Sequence, residues 1–562
     1  MERKHLGSLL LCAALAGACG PEVGLLAHSA AGTGDTGGAA SGEGGWTSGT
    51  TGSPDPSADD DSAGSGTHSD SGSTTGDEGK QTDGAQDCAG VPNGQAREDS
   101  CGICNDDPTD DCVQDCAGEW GGRASLDACG TCDADPTNDD LVVLVDPGLE
   151  SAIRLEAGLP EGDIRFADVE GISHLDAGGF GVGSLEGLGC LVNLEHLDLR
   201  SNWIVDLEPL ASLPNLRSID LARNDIVDVS PLSELGELLE LDLSSNVIAE
   251  TSALGGLDGL QELNLSSNQI LDAGPIGSIS SLTALDLSSN SITDVVPVAS
   301  LPNLLSLDLS YNSVGASLVE LAPLAPHLNV LVLRGTDTGD VSPLSGFSNL
   351  VVLNLVGNEV VDAAPLASLG SLEVLVLFDN DVSDIAPIGA LVGLLELDIG
   401  SNGVVDIAPL APLANLQELH AEFNSIVDIS VLNSMTSLEF AWLGNNAITG
   451  EFPPLNALEN LEGLIVFENS IVDVSAFAAL EGLQVGLNLD GNHIVDITPL
   501  GALENIGHLA LRSNDITDIT ALVPLTDAFS FYLEGNPLDC AGQAANVAAI
   551  EANGTSVSWD CR

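Results

Sequence analysis

Hydrophobic residues recur along the chain with a period of 22 residues. A clear copy is Leu194–Leu210, L-E-H-L-D-L-R-S-N-W-I-V-D-L-E-P-L, in which apolar and polar side chains alternate around Leu197 and Leu199. Such alternation predicts a short, half-buried β-strand. A period of this length predicts a solenoid whose coils pack against their neighbours. The asparagine of the pattern recurs at Asn202, Asn224, Asn246, Asn268, Asn290, Asn312, Asn358, Asn380, Asn402, Asn424, Asn446, Asn469, Asn492, Asn514 and Asn536.

Two polar columns accompany this period. The asparagine follows the strand where the chain turns inward, so its amide can satisfy backbone groups of adjacent coils, and we interpret it as structural. The second column is interpreted either as a calcium-binding stripe or as caps for the short helical turns that follow, and the capping interpretation is favoured. It consists of Asp206, Asp228, Asp272, Asp294, Asp340, Asp362, Asp384, Asp406, Asp428, Asp473, Asp496 and Asp518.

The full repeat is L-x-x-L-x-L-x-x-N-x-I-x-D-I-x-P-L-x-x-L, running from Leu175 to about Asn536. It resembles the 22-residue leucine-rich repeats of internalin-like bacterial proteins. The resemblance implies an α/β solenoid over residues 175–536, with sixteen full coils and one worn first coil. It places a parallel β-sheet on the concave face and short helical or 3-10 turns on the convex face.

Both ends of the array are predicted to be capped. Residues 141–174 resemble the helical N-terminal cap of internalin-like proteins, and Asp146 followed by Pro147 predicts a helix start. A second short helix is expected around Phe166–Ile172. Residues 537–562 resemble a C-terminal leucine-rich-repeat cap with an Ala-rich helix near Gln543–Glu551. That resemblance implies a disulfide between Cys540 and Cys561.

The N terminus predicts export. Residues 1–18 combine Arg3 and Lys4 with an apolar run and small residues, as in a signal peptide. The ending resembles a bacterial lipobox, which makes Cys19 the lipidation site and the chain a cell-surface or outer-membrane lipoprotein. Simple secretion is the alternative. Residues 19–86, rich in Gly, Ser, Thr and Asp, are predicted to be a disordered stalk, so the membrane is contacted through the lipid anchor only.

Residues 87–140 contain two Cys/Asp-rich copies of a 28-residue unit. In an exported chain disulfides are favoured over zinc for these cysteines. Their number between 88 and 132 is odd, so Cys190 is either their eighth partner or a buried free thiol. The units resemble Cys/Asp-rich repeats of bacterial surface proteins, which look like thrombospondin type 3 calcium repeats. Calcium is therefore a hypothesis beside a solvated spacer, with candidate ligands Asp106, Asp107, Asp110, Asp133 and Asp135; no other cofactor is expected.

The negative net charge of the chain excludes two classes of binding partner. The chain carries 13 Lys+Arg against 85 Asp+Glu, a formal net charge of −72. Binding to nucleic acid or to anionic lipid headgroups needs clustered cations, so both are excluded. Strong net charge of one sign also favours a soluble monomer.

The exposed strand positions are the expected ligand surface of a solenoid. From the irregular coil around Thr336 onward these positions become apolar. Exposed apolar and aromatic side chains are typical of protein interfaces, although β-propensity alone also favours valine and phenylalanine in strands. The resemblance implies recognition of a protein ligand, with a surface glycan as the alternative. The candidate binding residues are Val332, Val376, Phe378, His420, Phe440, Trp442, Ile465 and Phe467.

Two other functions are weighed against this surface-anchored binding module. One is a structural or envelope-organising spacer without a dedicated ligand. The remote one is a hydrolase in which Asp398 orients His420 as a base, because the two lie on adjacent predicted strands. No third catalytic group, phosphate loop or metal cluster is evident in the sequence, so the chain is not expected to be an enzyme.

Overall fold

The structure is a computed structural model that describes residues 140–561, except 451–452 and 481, together with four two-residue strands nearer the N terminus. These are β1 Arg97–Glu98, β2 Cys104–Asn105, β3 Ser125–Leu126 and β4 Cys132–Asp133. β1 pairs with β2 in antiparallel orientation, and β3 with β4 forms a second two-stranded sheet. The predicted signal peptide, Cys19, the 19–86 linker and the calcium candidates Asp106, Asp107, Asp110 and Asp135 lie outside the described residues, as does the side chain of Asp133.

The coils of the repeat build one parallel sheet of 18 strands. Each strand has three residues and pairs in register with the next strand along the chain, so His196 pairs with Ser218 and Asp198 with Asp220. The strands are β5 His174–Asp176, β6 His196–Asp198, β7 Ser218–Asp220, β8 Glu240–Asp242, β9 Glu262–Asn264, β10 Ala284–Asp286, β11 Ser306–Asp308, β12 Val330–Val332, β13 Val352–Asn354, β14 Val374–Val376, β15 Glu396–Asp398, β16 Glu418–His420, β17 Phe440–Trp442, β18 Gly463–Ile465, β19 Gly486–Asn488, β20 His508–Ala510, β21 Ser530–Tyr532 and β22 Ser556–Ser558.

The alternation of the sequence determines which side chains enter the core. The middle residue of each strand points inward and the two flanking residues point outward. Leu197 and Leu199 are buried accordingly, and the equivalent leucines, isoleucines and valines of the other coils join them in one continuous apolar cluster. The predicted leucine-rich-repeat solenoid with a parallel sheet is confirmed.

The opposite side of the coils consists of short turns. Most are 3-10 turns, and one is a four-residue α-helix, Val296–Ala299. The 3-10 turns in the described residues are Leu188–Cys190, Glu208–Ser212, Ser230–Glu234, Ser252–Gly256, Ile276–Ser278, Gly315–Leu324, Ser342–Gly346, Ala364–Ser368, Ala386–Ala390, Ala408–Leu410, Ser430–Ser434, Ser475–Ala479, Thr498–Ala502 and Thr520–Leu522.

The aspartate column caps these turns. Asp206 Oδ1 accepts a hydrogen bond from the backbone N–H of Glu208 at 2.9 Å, and the other eleven aspartates bond the N–H two residues later in the same way. Except at Asp272, the bonded N–H belongs to the first residue of the turn, so the carboxylate satisfies a donor that the turn itself leaves open. The capping interpretation is confirmed.

The asparagine column joins neighbouring coils. Asn224 Oδ1 accepts from Ile204 N–H in the preceding coil at 3.0 Å. Its Nδ2 donates to Leu199 O in that coil and to Leu221 O in its own coil, both at 3.0 Å. The same three partners recur at all fifteen asparagines, from Asn202 to Asn536. The structural interpretation of this column is confirmed.

Both caps form helices. Helix α1 spans Pro147–Ala157, and the carboxylate of Asp146 accepts from Gly148 N–H and Leu149 N–H, as the N-cap prediction requires. Helix α2 is Phe166–Val169, shorter than expected. The later helices are α3 Val296–Ala299 in the array and α4 Cys540–Ala552 in the C-terminal cap.

The C-terminal cap is closed by the Cys540–Cys561 disulfide, which confirms that pairing. The cap also contributes β22 to the sheet, a strand that the sequence pattern did not indicate. Cys190 is disulfide-bonded, so the free-thiol alternative is wrong. None of the helices in the described part of the chain has the length and apolar composition that a membrane span requires.

Irregular coils leave the sheet intact. Ser306 pairs with Val330 across a step of 24 residues, and Phe440 pairs with Gly463 across a step of 23. In the first case the extra length lies in the ten-residue turn Gly315–Leu324. Thr336 replaces the asparagine there, and its hydroxyl donates to Leu333 O within its own coil. Insertions are therefore absorbed on the turn side.

Asn224→Ala should lower the free energy of unfolding by about 1–3 kcal/mol, because it leaves the buried Ile204 N–H without its acceptor. The carbonyls of Leu199 and Leu221 each lose one of two side-chain donors and keep the other, from Asn202 and Asn246. Chemical denaturation of the full chain measures this change. Asn215→Ala is the matched control, since its Nδ2 donates to Val192 O at an exposed site and should cost no more than about 0.5 kcal/mol. Equal losses in both variants would contradict the structural role of the column.

Candidate protein-binding surface

The outward-facing strand residues and the residues just beyond each strand form one continuous surface, which we call the sheet face. It has three sectors. Strands β7–β11 carry an acidic groove, defined by Asp220, Asp242, Asp286 and Asp308. Strands β12–β14 carry a valine strip, defined by Val330, Val332, Val352, Val374 and Val376. Strands β16–β18 carry an aromatic cluster, defined by His420, Phe440, Trp442 and Phe467.

The valine strip is more buried than the sequence suggested. Val332 and Val376 are only 4% exposed, and Ile465 in the next sector is also 4% exposed. In-register pairing sets Val330 beside Val352 and Val352 beside Val374, so the side chains cover one another about 4.8 Å apart. The expectation that Val332, Val376 and Ile465 are exposed is therefore wrong. Phe378 packs half-buried against the strip.

The aromatic cluster is a row of rings standing on adjacent strands. His420 and Trp442 face each other in register, and their rings stack with centroids 4.0 Å apart and planes 6° apart. Phe440 lies against the same tryptophan at 5.6 Å. All four rings, including that of Phe467, are half-buried. The cluster therefore presents rigid, partly exposed aromatic side chains of the kind that anchor protein interfaces.

Glycines make room for the rings. A Cβ on Gly444 would lie 2.4 Å from the ring of Phe467, and one on Gly463 would lie 2.8 Å from that of Phe440. A Cβ on Gly400 would likewise lie 2.8 Å from the ring of Phe378. A sequence signal was present at Gly463, which lies within β18, because a glycine within a strand often marks a close approach of another group. Gly400 and Gly444 lie just beyond the ends of β15 and β17. Sequence reasoning named the rings and missed these three glycines.

A second hydrogen-bond pattern explains the acidic residues at the strand ends. Asp198 Oδ1 accepts from Arg200 N–H at 3.0 Å. The same bond is made by Asp176, Asp220, Asp242, Asn264, Asp286, Asp308, Asn354, Asp398 and Asn488. In other coils this position is occupied by residues that do not make the bond, and those coils lose a hydrogen bond worth about 1 kcal/mol. These residues are Val332, Val376, His420, Trp442 and Ile465.

Phe423 is a further surface residue that sequence reasoning missed. The residue before each ladder asparagine adopts positive φ and is usually a serine or a glycine. In the coil of His420 this residue is Phe423, with φ 56° and its side chain 51% exposed. Every coil requires a left-handed backbone at this position. A bulky residue such as Phe423 adopts that backbone conformation at a cost in folding free energy. Phe423 thus adds an exposed ring three residues after His420 in the same coil.

Carboxylates surround the cluster. Glu418 Oε2 lies 3.8 Å from His420 Nε2. Burial lowers the pKa of His420, but Glu418, Asp398, Glu422 and Glu396 outweigh that effect and raise it above its ordinary value. Burial raises the pKa of Asp398 to about 6, although Gly400 N–H and His420 favour its ionised form. At neutral pH this part of the sheet face is negatively charged.

The hydrolase hypothesis finds little support in this arrangement. Asp398 and His420 are register neighbours, as predicted. Strands β15, β16 and β17 contain no serine, threonine or cysteine to serve as a nucleophile. The described residues also contain no group of three or more His, Cys, Asp or Glu side chains that could hold a metal ion. No nucleophile therefore stands beside the Asp398–His420 pair on these three strands.

The acidic groove is an open cavity of about 480 Å³. Small side chains at Ala284 and Ser306 leave space between the carboxylates that line it. Burial and the neighbouring carboxylate of Asp286 raise the pKa of Asp308 to about 6, although the hydrogen bond from Ser310 and the charge of Arg334 oppose the shift. These carboxylates repel one another when they are ionised, which disfavours their charged forms.

Comparison with known proteins identifies the class. Family profiles described as "Leucine Rich repeats (2 copies)", "Leucine rich repeat" and "Leucine Rich repeat" match residues 192–234, 214–270 and 278–295. The structure is similar to an internalin from Listeria monocytogenes, at 30% sequence identity and a TM-score of 0.53, over 58% of this chain and 96% of that one. The chain belongs to the leucine-rich repeat proteins. Proteins of this class are in general interaction modules, not enzymes.

Two further structures share the fold. A leucine-rich repeat protein from Leptospira interrogans matches at 24% identity and a TM-score of 0.57, over 70% of this chain and 97% of that one. A TDR receptor matches at 20% identity and a TM-score of 0.54, over 66% of this chain and 70% of that one. A comparison of the sequence with curated proteins finds no match.

Asp308→Asn should stabilise the chain at pH 7.5 by about 1–2 kcal/mol. The pKa of this carboxyl is about 6 in the fold against an ordinary value of 3.8, so the fold favours the protonated form. The penalty of ionisation is absent below pH 3.8, grows as pH rises and is complete above about 6. Asparagine keeps the acceptor, as Asn264 does for Ser266 N–H.

Urea denaturation at pH 7.5 and near pH 4 tests this prediction, and the gain should shrink at the lower pH. Asp228→Asn is the matched control, because hydrogen bonds from Ser230 lower the pKa of Asp228 and neutralising it should give no gain. A gain at Asp308 that does not depend on pH would show that burial of its charge is not the cause.

Proposed function

We propose that the chain is a surface-anchored recognition module that binds a protein ligand on its sheet face, with the aromatic cluster as the main contact. Lipidation at Cys19 and the stalk of residues 19–86 would hold the array away from the membrane. The class supports this proposal, since leucine-rich repeat proteins are in general protein-binding modules. The sheet face supports it independently.

The observation that carries the proposal is the change of chemistry on the sheet face. From β5 to β11 the last strand residue is an aspartate or asparagine that bonds its own backbone. At β16 and β17 His420 and Trp442 take this position and stack on each other. Neither ring is needed by the core, which is complete behind the sheet. Half-exposed aromatics that the fold does not need favour a role in binding.

The rings of the aromatic cluster are held in fixed positions, which favours binding. The stack with His420 and the close packing of Phe440 on Gly463 restrict the side chains before any partner arrives. A preformed surface loses little side-chain entropy on binding. We therefore expect Trp442 to act as a binding hot spot, with Phe423 as an exposed contact beside it.

A pull-down from cell-surface extracts tests the recognition proposal. The full chain serves as bait beside a Phe440→Ser/Trp442→Ser variant, and bound proteins are quantified by mass spectrometry. The variant should bind its partner at least about thirtyfold more weakly, because truncating an aromatic hot spot typically costs about 2 kcal/mol or more. Phe378→Ser extends the test to the ring that covers the valine strip.

The matched control is Trp203→Ser/Phe529→Ser. These two aromatics are 69% and 66% exposed and lie outside the aromatic cluster. Thermal denaturation of all variants checks that the fold survives. Equal recovery of every protein by the wild type and the cluster variant would contradict the proposal and favour a spacer without a ligand.

The anchor is tested separately. Cys19→Ala should move the protein from the detergent phase to the aqueous phase in Triton X-114 partition of the expressing bacterium, because the thiol that carries the lipid is gone. A single small-residue substitution elsewhere in the signal region, Gly17→Ala, keeps the cysteine and serves as control. Aqueous partition of the unaltered chain would instead indicate simple secretion.

A further inference from the structure

Unpaired acidic groups lie next to the aromatic cluster. Glu396 is only 8% exposed, and its carboxylate makes no hydrogen bond within the described residues. Its register neighbours are Val374 on one side and Glu418 on the other. Burial and the charge of Glu418 raise its pKa, although His420 opposes the shift. A carboxylate held between a valine and another carboxylate is unfavourable when ionised, and an approaching positive charge would stabilise its ionised form.

Glu422 is in a similar position. It lies between the coils of Gly400 and Gly444, and the ring of Phe378 covers the first glycine while that of Phe467 covers the second. Its Oε2 atom is buried with no hydrogen-bond partner among the described residues. Buried acceptors of this kind are uncommon, because each one costs the desolvation of a polar group.

The chain provides almost no positive charge to balance these groups. No lysine or arginine occurs between Arg334 and Arg512, a stretch that contains all of strands β13–β19. His420 is the nearest titratable cation, and it already faces Glu418. The described part of the sheet face therefore supplies neither the missing donors nor the missing positive charge, and a cationic ligand would supply both.

The ring geometry separates two kinds of ligand. Sugar rings typically stack on an open aromatic face. One face of Trp442 is covered by His420, and the opposite face points toward the strand that carries Ile465. The cluster therefore offers apolar ring edges beside carboxylates, which suits an apolar side chain next to a cationic one.

We propose that the ligand of the aromatic cluster is a basic polypeptide segment, in which an arginine or lysine contacts Glu418 and its neighbours while an adjacent apolar residue contacts the exposed ring edges. The proposal rests on the recognition function proposed above and specifies its partner. Glu418 is the accessible contact, with its side chain 41% exposed. Glu396 and Glu422 strengthen the attraction because they are held in a poorly solvated environment.

A random-peptide phage library tests the proposal without assuming which protein supplies the segment. The library is panned on the immobilised full chain, after counter-selection on the Trp442→Ser variant to remove peptides that bind other acidic parts. Enriched peptides should carry arginine or lysine beside an apolar residue. Their affinity, measured by fluorescence polarisation, should fall at least about tenfold between low and high salt.

The decisive variant is Glu396→Gln/Glu418→Gln/Glu422→Gln, which keeps shape and removes charge. It should bind the enriched peptides at least about tenfold more weakly. The matched control, Glu208→Gln/Glu234→Gln/Glu320→Gln, removes the same charge from exposed residues on the turn side and should bind them as the wild type does.

The outcomes separate this inference from the recognition proposal. Enriched peptides that depend on Trp442 but are neutral or acidic, or that ignore the glutamate variant, overturn the basic ligand and leave protein recognition intact. Trp442-dependent retention on a glycan array, with no peptide enriched, overturns it in favour of a glycan. If neither peptide nor glycan binding depends on Trp442, both proposals fail.

Discussion

The asparagine amide that joins one coil to the next is the interaction on which the rest of the structure depends. A three-residue strand and a short turn cannot satisfy their own backbone groups. Each ladder asparagine accepts from an N–H and donates to a carbonyl of the preceding coil, and it also donates to a carbonyl of its own coil. Because these bonds are buried, they keep the strands in register over the whole array. The leucines fill the core that these registered strands enclose.

This arrangement separates the scaffold from the surface. The inward positions are nearly invariant along the array, whereas the outward positions change from acidic to valine to aromatic without altering the strand pairing. The turn side absorbs the longer coils, so the sheet face stays continuous across them. A binding surface can therefore be built from side chains alone, on strands whose positions do not depend on it.

The repeat, both polar columns and the C-terminal disulfide were predictable because each depends on local periodicity or on a family pattern. The aromatic residues of the cluster were also predictable from their place in the strands. The burial of Val332, Val376 and Ile465 was not, because it depends on neighbours 22–24 residues away covering each side chain. The glycines under the rings and the backbone of Phe423 also depend on contacts that no single coil reveals.

In-register pairing gives the strands of the sheet a constant spacing. The acidic groove ends at β11 and the aromatic cluster begins at β16, and each intervening coil sets a distance of about 4.8 Å between them. Gain or loss of one whole coil in the valine strip would change that distance by one step and leave both end sectors unaltered. Coil number thus sets the separation of the two sectors independently of the side chains within either one.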